Sequence, residues 1–246
     1  MAQVPFLLLP GLMCDRAVWA DTIAALPAGP DAVVPDYGDA DTLALMAERA
    51  LAVAPPRFAA AGHSMGGRVA LEIFRCAPER VAGLALLDTN YTPRAAGEAG
   101  AREERERLEL LAIARRSGTR AMAENWVKGM VHPGRLADAG LIGAILDMFA
   151  RKSADVFAAQ IRALLARPDA AALLASVRCP ALVLCGREDS WAPAARHEEM
   201  AAMIAGSELA IVERCGHMAP MERPGEVAAA LARWHARIGA RRAAAA

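Results

Sequence analysis

The segment Ala61-Gly62-His63-Ser64-Met65-Gly66-Gly67 constrains this chain more than any other stretch. It sets G-x-S-x-G between a short apolar run, Arg57–Ala61, and a helical pattern, Arg68-Val69-Ala70-Leu71-Glu72-Ile73-Phe74. A serine on so tight a strand-to-helix turn is forced outward, with its hydroxyl free to attack. The flanking glycines leave room for the crowded backbone. The helix that starts there aims backbone N–H groups at negative charge developing nearby. A glycine-rich turn merely capped by serine would have the same spelling. The strand before it and the helix after it favour a nucleophilic Ser64.

Strand-like runs alternate with helical patterns along most of the chain, which predicts an α/β fold with a mainly parallel sheet of about six strands. The expected strands are Val4–Leu9, Ala32–Pro35, Arg57–Ala61, Val81–Leu87, Ala181–Cys185 and Leu209–Val212. Helices are expected at Val18–Leu26, Thr42–Val53, Ser64–Cys76, Pro193–Ile204 and Pro224–Ile238, with Pro193 and Pro224 at helix starts, where the first N–H is unpaired anyway. The alternation stops between Thr92 and Ser176. Helical stretches follow one another there at Arg102–Ser117, Thr119–Gly129, Ala139–Ala150 and Ala154–Ala166. That is far more chain than a crossover needs. It predicts a helical cap over residues 92–176, inserted between core segments 1–91 and 177–246.

Charge and cysteine content exclude several function classes. Among 246 residues, 28 Lys and Arg balance 28 Asp and Glu, so no basic surface for nucleic acid or an anionic membrane is expected. The mixed-sign run Arg102-Glu103-Glu104-Arg105-Glu106-Arg107 reads as a solvated helix face. The five cysteines (Cys14, Cys76, Cys179, Cys185 and Cys215) are scattered and lack metal-ligand spacing, which predicts reduced thiols in a cytoplasmic protein with no metal. The N-terminal apolar run lacks the basic start and the length of a signal peptide, and no run approaches transmembrane length. The tail Arg241–Ala246 reads as a frayed helix end or a disordered tail, without function.

A nucleophilic serine needs a base. Of the five histidines, His63 should turn away from Ser64, His197 and His235 read as helix-surface residues, and His132 reads as a loop residue. His217, in Cys215-Gly216-His217-Met218, follows the last strand, where open α/β sheets hold their sites. The base needs an acid to orient it. Asp189 and Asp88 both follow strands, and Glu188 is a third candidate. The chain order Ser64, Asp189, His217 favours Asp189. Oxyanion donors are expected from the backbone N–H of Met65 and, in Leu9-Pro10-Gly11-Leu12, from that of Leu12. Trp19, Gln160 and Trp191 are candidate substrate contacts, with Arg162 beside Gln160.

These motifs, together with Gly186-x-x-Asp189-x-x-x-Pro193 and Gly216-His217, make the chain resemble α/β-hydrolase-fold proteins with a helical lid. The resemblance spans essentially the whole chain. It implies helices on both faces of the sheet and a cofactor-free serine hydrolase, a monomer or homodimer acting on a small ester, thioester or lactone. Relatives of that kind also include carbon–carbon bond hydrolases and a lyase, and some plant hormone receptors resemble them as ligand-binding modules. Two departures stand out. Pro10-Gly11 replaces the His-Gly pair common before the oxyanion residue, and two N-terminal strands common in relatives have no room here. Dehalogenases and epoxide hydrolases of this fold use an aspartate nucleophile, which Ser64 argues against.

Overall fold

A computed structural model describes residues 3–27 and 31–244. Its sheet has six parallel strands: β1 (Phe6–Leu9), β2 (Ala32–Val33), β3 (Phe58–His63), β4 (Val81–Leu87), β5 (Ala181–Gly186) and β6 (Glu208–Val212), in the order β2-β1-β3-β4-β5-β6. Strand β1 begins at Phe6 and not at Val4, because Pro5 has no N–H for the ladder. Strand β3 extends past Ala61 to His63, which pairs with Leu87, so the sheet carries the chain to the residue before Ser64.

The core helices are α1 (Ala17–Ala25), α2 (Leu43–Val53), α3 (Met65–Cys76), α9 (Ala194–Met203), the short α10 (Ala219–Glu222) and α11 (Pro224–Ala244). Between β4 and β5 lie α4 (Gly97–Ser117), α5 (Thr119–Trp126), α6 (Ala139–Ala150), α7 (Ala154–Leu165) and α8 (Ala171–Ser176), and no sheet strand. Helix α11 continues beyond the expected Ile238 through Ala244; the last two residues of the expected tail lie outside the described residues.

The strand order explains where the helices go. From β1 the chain steps outward to β2, then returns past β1 to β3 and proceeds steadily to β6. Right-handed crossovers therefore place α1 on one face and α2, α3 and α9 on the other. Helix α11 packs beside α1 and across β4, β5 and β6. Both faces being covered, β1, β3, β4 and β5 are buried at every residue. Each fully buried Leu or Phe there contributes about 1.5–3 kcal/mol relative to exposure. The reversal at β1 also opens a crevice at the carboxyl ends of β1 and β3, where loops diverge to opposite faces. Ser64 and Leu12 follow those two strands.

Candidate active site

Ser64 sits at φ 54, ψ −118, a strained backbone conformation for a residue with a side chain. Its surroundings hold it there. Its N–H donates to Leu87 O (2.8 Å), and its carbonyl accepts from Thr89 Oγ1 (2.7 Å) and Gly67 N (2.9 Å). The turn tolerates no side chain at its flanks. A Cβ on Gly62 would lie 2.2 Å from Gly66 O, and one on Gly66 would lie 2.1 Å from Leu9 O.

His217 Nε2 lies 2.8 Å from Ser64 Oγ, and its Nδ1 lies 2.8 Å from Asp189 Oδ2. The other oxygen of Asp189 accepts from the N–H groups of Trp191 and Ala192, each at 2.9 Å. Burial pushes the Asp189 carboxyl up, but the adjacent His217 and these hydrogen bonds outweigh it and hold the group below the usual carboxylate range. Asp189 is therefore an ionised, fully engaged carboxylate behind the imidazole.

Asp88 sits elsewhere. Its Oδ1 accepts from Gly186 N at 2.9 Å, and its Oδ2 has no hydrogen-bond partner among the described residues. Burial, and then the charge of Asp189, raise its carboxyl well above the usual range. Glu188 accepts from Cys215 N at 2.9 Å. Neither carboxylate bonds the His217 ring among the contacts seen.

The Met65 N–H opens α3 at its positive end. Leu12 lies in a loop fixed on both sides: Cys14 N donates to Gly11 O at 3.1 Å, and Met13, at φ 61, donates its N–H to Gln160 Oε1 at 2.8 Å. Leu12 and Met65 both line a cavity of about 280 Å³ that Ser64 and His217 also line. Its walls come from α4, α6 and α7, from Trp126 and Met130, and from Trp191, which stacks on Trp126 at 5.3 Å.

Two expected substrate contacts are corrected. Trp19 is fully buried, with its ring edge-on to His63, and does not line the cavity. Gln160 is also buried and spends its carbonyl on Met13, outside the lining. Arg162 pairs with Asp41 at the surface. Trp191 does line the cavity.

The histidines also differ from expectation. His63 makes no bond to Ser64 among the described residues; its Nε2 donates to His217 O at 2.8 Å, so it holds the loop that carries His217. His197 is no surface residue: it is wholly buried, and its Nε2 accepts from Thr89 N at 3.0 Å. Burial pushes His63 down to about 3 and His197 down to about 4, so both are neutral. His235, half-buried, stacks on Phe6 and reaches Val4 O.

Glu222 was not singled out from the sequence. It is buried in α10 and accepts from Gly216 N (2.9 Å), Met218 N (3.3 Å) and His132 N (2.8 Å). With the bond from His217 N to Met130 O at 2.6 Å, it ties the His217 loop to the helical insertion. Its only advance signal was an acid within a few residues of His217.

Among the described residues, no group of three or more His, Cys, Asp or Glu is placed to hold a metal ion, and no helix is long and apolar enough to cross a membrane. The five cysteines are free thiols.

A family profile described as the alpha/beta hydrolase family matches residues 6–230. Among solved structures, the chain is similar to a thermophilic esterase from Thermogutta terrifontis with malate bound: 26% identity, TM-score 0.84, 96% of this chain and 91% of that one. It is similar in fold to the enol-lactonase of Burkholderia xenovorans (20% identity, TM-score 0.80, 95% and 92% coverage). The same holds for an esterase from Exiguobacterium antarcticum (17% identity, TM-score 0.79, 95% and 93% coverage). No curated protein sequence matches the chain.

Proposed function

Because this chain belongs to the alpha/beta hydrolase family, we propose that it is a serine hydrolase that cleaves an ester, thioester or lactone of a small acyl compound through an acyl-enzyme on Ser64. The observation that carries this is the relay of two 2.8 Å contacts, Ser64 Oγ to His217 Nε2 and His217 Nδ1 to Asp189. Ser64 Oγ attacks the carbonyl carbon and passes its proton to His217 Nε2. The ionised Asp189 stabilises the imidazolium and fixes its tautomer. The N–H groups of Met65 and Leu12 receive the oxyanion. Collapse of the intermediate breaks the bond to the leaving group, which takes the proton from His217. Water, deprotonated by His217, then opens the acyl-enzyme and restores Ser64.

The helical insertion, residues 92–176, serves as a cap that covers this site and limits water. A cavity of about 280 Å³ walled by Leu12, Trp126, Phe149 and Trp191 suits a short acyl group. The esterase and lactonase neighbours support the same reaction class. Free cysteines and balanced charge suit a cytoplasmic enzyme of small molecules without nucleic-acid or membrane partners.

The test is a panel of p-nitrophenyl esters and thioesters of graded chain length on wild type and Ser64→Ala, with fluorophosphonate labelling. Turnover and labelling are expected in wild type, and loss of kcat on the order of 10⁴-fold or more in Ser64→Ala. Residual activity within tenfold of wild type would overturn the assignment.

A further inference from the structure

Arg68 lines the same cavity, one helical turn beyond Ser64 on α3. It is 5% exposed, and its hydrogen bonds go to two carbonyls, Thr92 O at 2.5 Å and Pro168 O at 3.4 Å. A guanidinium has five N–H donors, so donors remain. Among the described residues it pairs with no carboxylate. Two carboxylates of the cavity wall are engaged elsewhere: Asp88 accepts from Gly186 N, and Glu103 holds Arg107 at 2.9 Å and Arg167 at 2.6 and 2.8 Å. Glu106 also lines the cavity, but it faces Arg102 at the exposed surface of α4. Of the three arginines in the cavity wall, Arg107 and Arg167 share Glu103, whereas Arg68 is buried with no carboxylate within ion-pair distance among the described residues, and Glu103 and Asp169 act on it only from farther away. Burial and then the neighbouring Arg167 push its guanidinium down to about 9. Burying a charge unpaired is costly, and a ligand anion would relieve that cost.

We propose that Arg68 is a specificity residue that receives a carboxylate of the substrate, so that the preferred ester carries a free acid group on the bound acyl compound. This rests on the reading of Ser64 as the nucleophile that shares the cavity. One flat guanidinium fork matches the two coplanar oxygens of a carboxylate. A phosphate dianion wants more donors than one fork supplies. The apolar wall of Leu12, Phe149 and Trp191 accepts the carbon chain between the acid and the scissile carbonyl.

Binding can be measured without turnover. Ser64→Ala protein is titrated calorimetrically with monomethyl adipate and with dimethyl adipate, which differ in one free carboxylate. The monoester is expected to bind at least tenfold more tightly. Adding Arg68→Gln should bring the ratio close to one, and Arg68→Lys, which keeps the charge but not the fork, should give an intermediate ratio. Inorganic phosphate is expected to compete poorly with the monoester. Equal binding of the two adipates, no measurable heat from either at millimolar concentration, an unchanged ratio in Arg68→Gln, or phosphate binding as tightly as the monoester would each overturn the proposal. If Arg68→Gln does not fold, the two adipates on the Arg68 protein decide alone. A failure of the Ser64 assignment shows in the ester panel and leaves this binding comparison readable.

Discussion

Gln160 Oε1 accepts the backbone N–H of Met13 at 2.8 Å, joining α7 of the insertion to the loop after β1 across 147 residues of chain. Met13 holds a left-handed backbone at φ 61 immediately after Leu12. The contact thus fixes the peptide next to the proposed oxyanion donor. Gln160 is therefore expected to act as a positioning residue, through the loop and not on the substrate.

Gln160→Leu should leave the Met13 N–H unpaired and buried, a cost of about 1–3 kcal/mol. A loosened Leu12 should lower kcat roughly ten- to hundredfold with KM changed less than threefold, because the oxyanion exists only in the transition state. The rate of phosphonate labelling should fall in parallel with kcat. Gln160→Glu, which keeps an acceptor, should recover part of both. A change confined to thermal stability, with kcat unaltered, would reduce Gln160 to packing.

Asp189→Asn and Asp88→Asn should differ by orders of magnitude. Asp189 is ionised and fixes the proton on His217 Nδ1, whereas Asn there favours the wrong tautomer, with an expected loss of about 10⁴-fold in kcat. Asp88 makes no bond to His217, its carboxyl is held well above the usual range, and the one contact it makes, accepting from Gly186 N, needs only an oxygen, which Asn supplies. Its kcat should stay within tenfold of wild type. Steady-state kinetics on the two variants decide the matter, and the reverse order would move the acid to Asp88.

The glycines of the turn should be irreplaceable where those of an open helix face are not. In Gly66→Ala the new Cβ would meet backbone, 2.1 Å from Leu9 O, with no flexible atom to yield. The melting temperature should drop by more than about 10 °C, which for a domain of this size corresponds to several kcal/mol. Gly143 in α6 has nothing within 4 Å of a Cβ, so Gly143→Ala should be neutral or stabilise by about 0.5–1 kcal/mol. Comparable melting temperatures for the two variants would refute the steric reading.

What could be read from the sequence was local. The Gly62–Gly67 turn and the prolines at helix starts signal themselves within a few residues. The alternation of strands and helices then follows, and with it the α/β sheet. Only chain order favoured Asp189 over Asp88, since both leave the carboxyl end of a parallel strand; their physical difference lies in which groups meet them, His217 and two backbone N–H groups for Asp189 and Gly186 N for Asp88. Gln160, Glu222 and His197 were misread or missed for a related reason. Each is a buried polar side chain serving a main-chain N–H, with partners up to 147, 90 and 108 residues away. Such contacts leave no periodicity or spacing to detect. Short α8 and α10 escaped because six and four residues carry too little helical pattern.

His197 should make the protein acid-sensitive in a defined window. Its imidazole is wholly buried and neutral, accepting from Thr89 N, and burial holds its pKa down at about 4. In the unfolded chain the same group titrates near the ordinary value of about 6.5. Between those values the unfolded state binds more protons, so the stability His197 contributes is present above about pH 6.5 and is lost as pH falls toward 4. His197→Gln keeps an acceptor for Thr89 N without a titrating group. The stability difference between wild type and this variant should shift against wild type by about 2 kcal/mol between pH 7.5 and pH 5. His63, Asp88 and Asp189 are present in both proteins, so their contributions cancel, including that of Asp88, whose raised pKa works in the opposite direction. Urea unfolding at a series of pH values measures the difference directly, and a gap that stays constant from pH 7.5 to 5 would mean that His197 takes up its proton without unfolding.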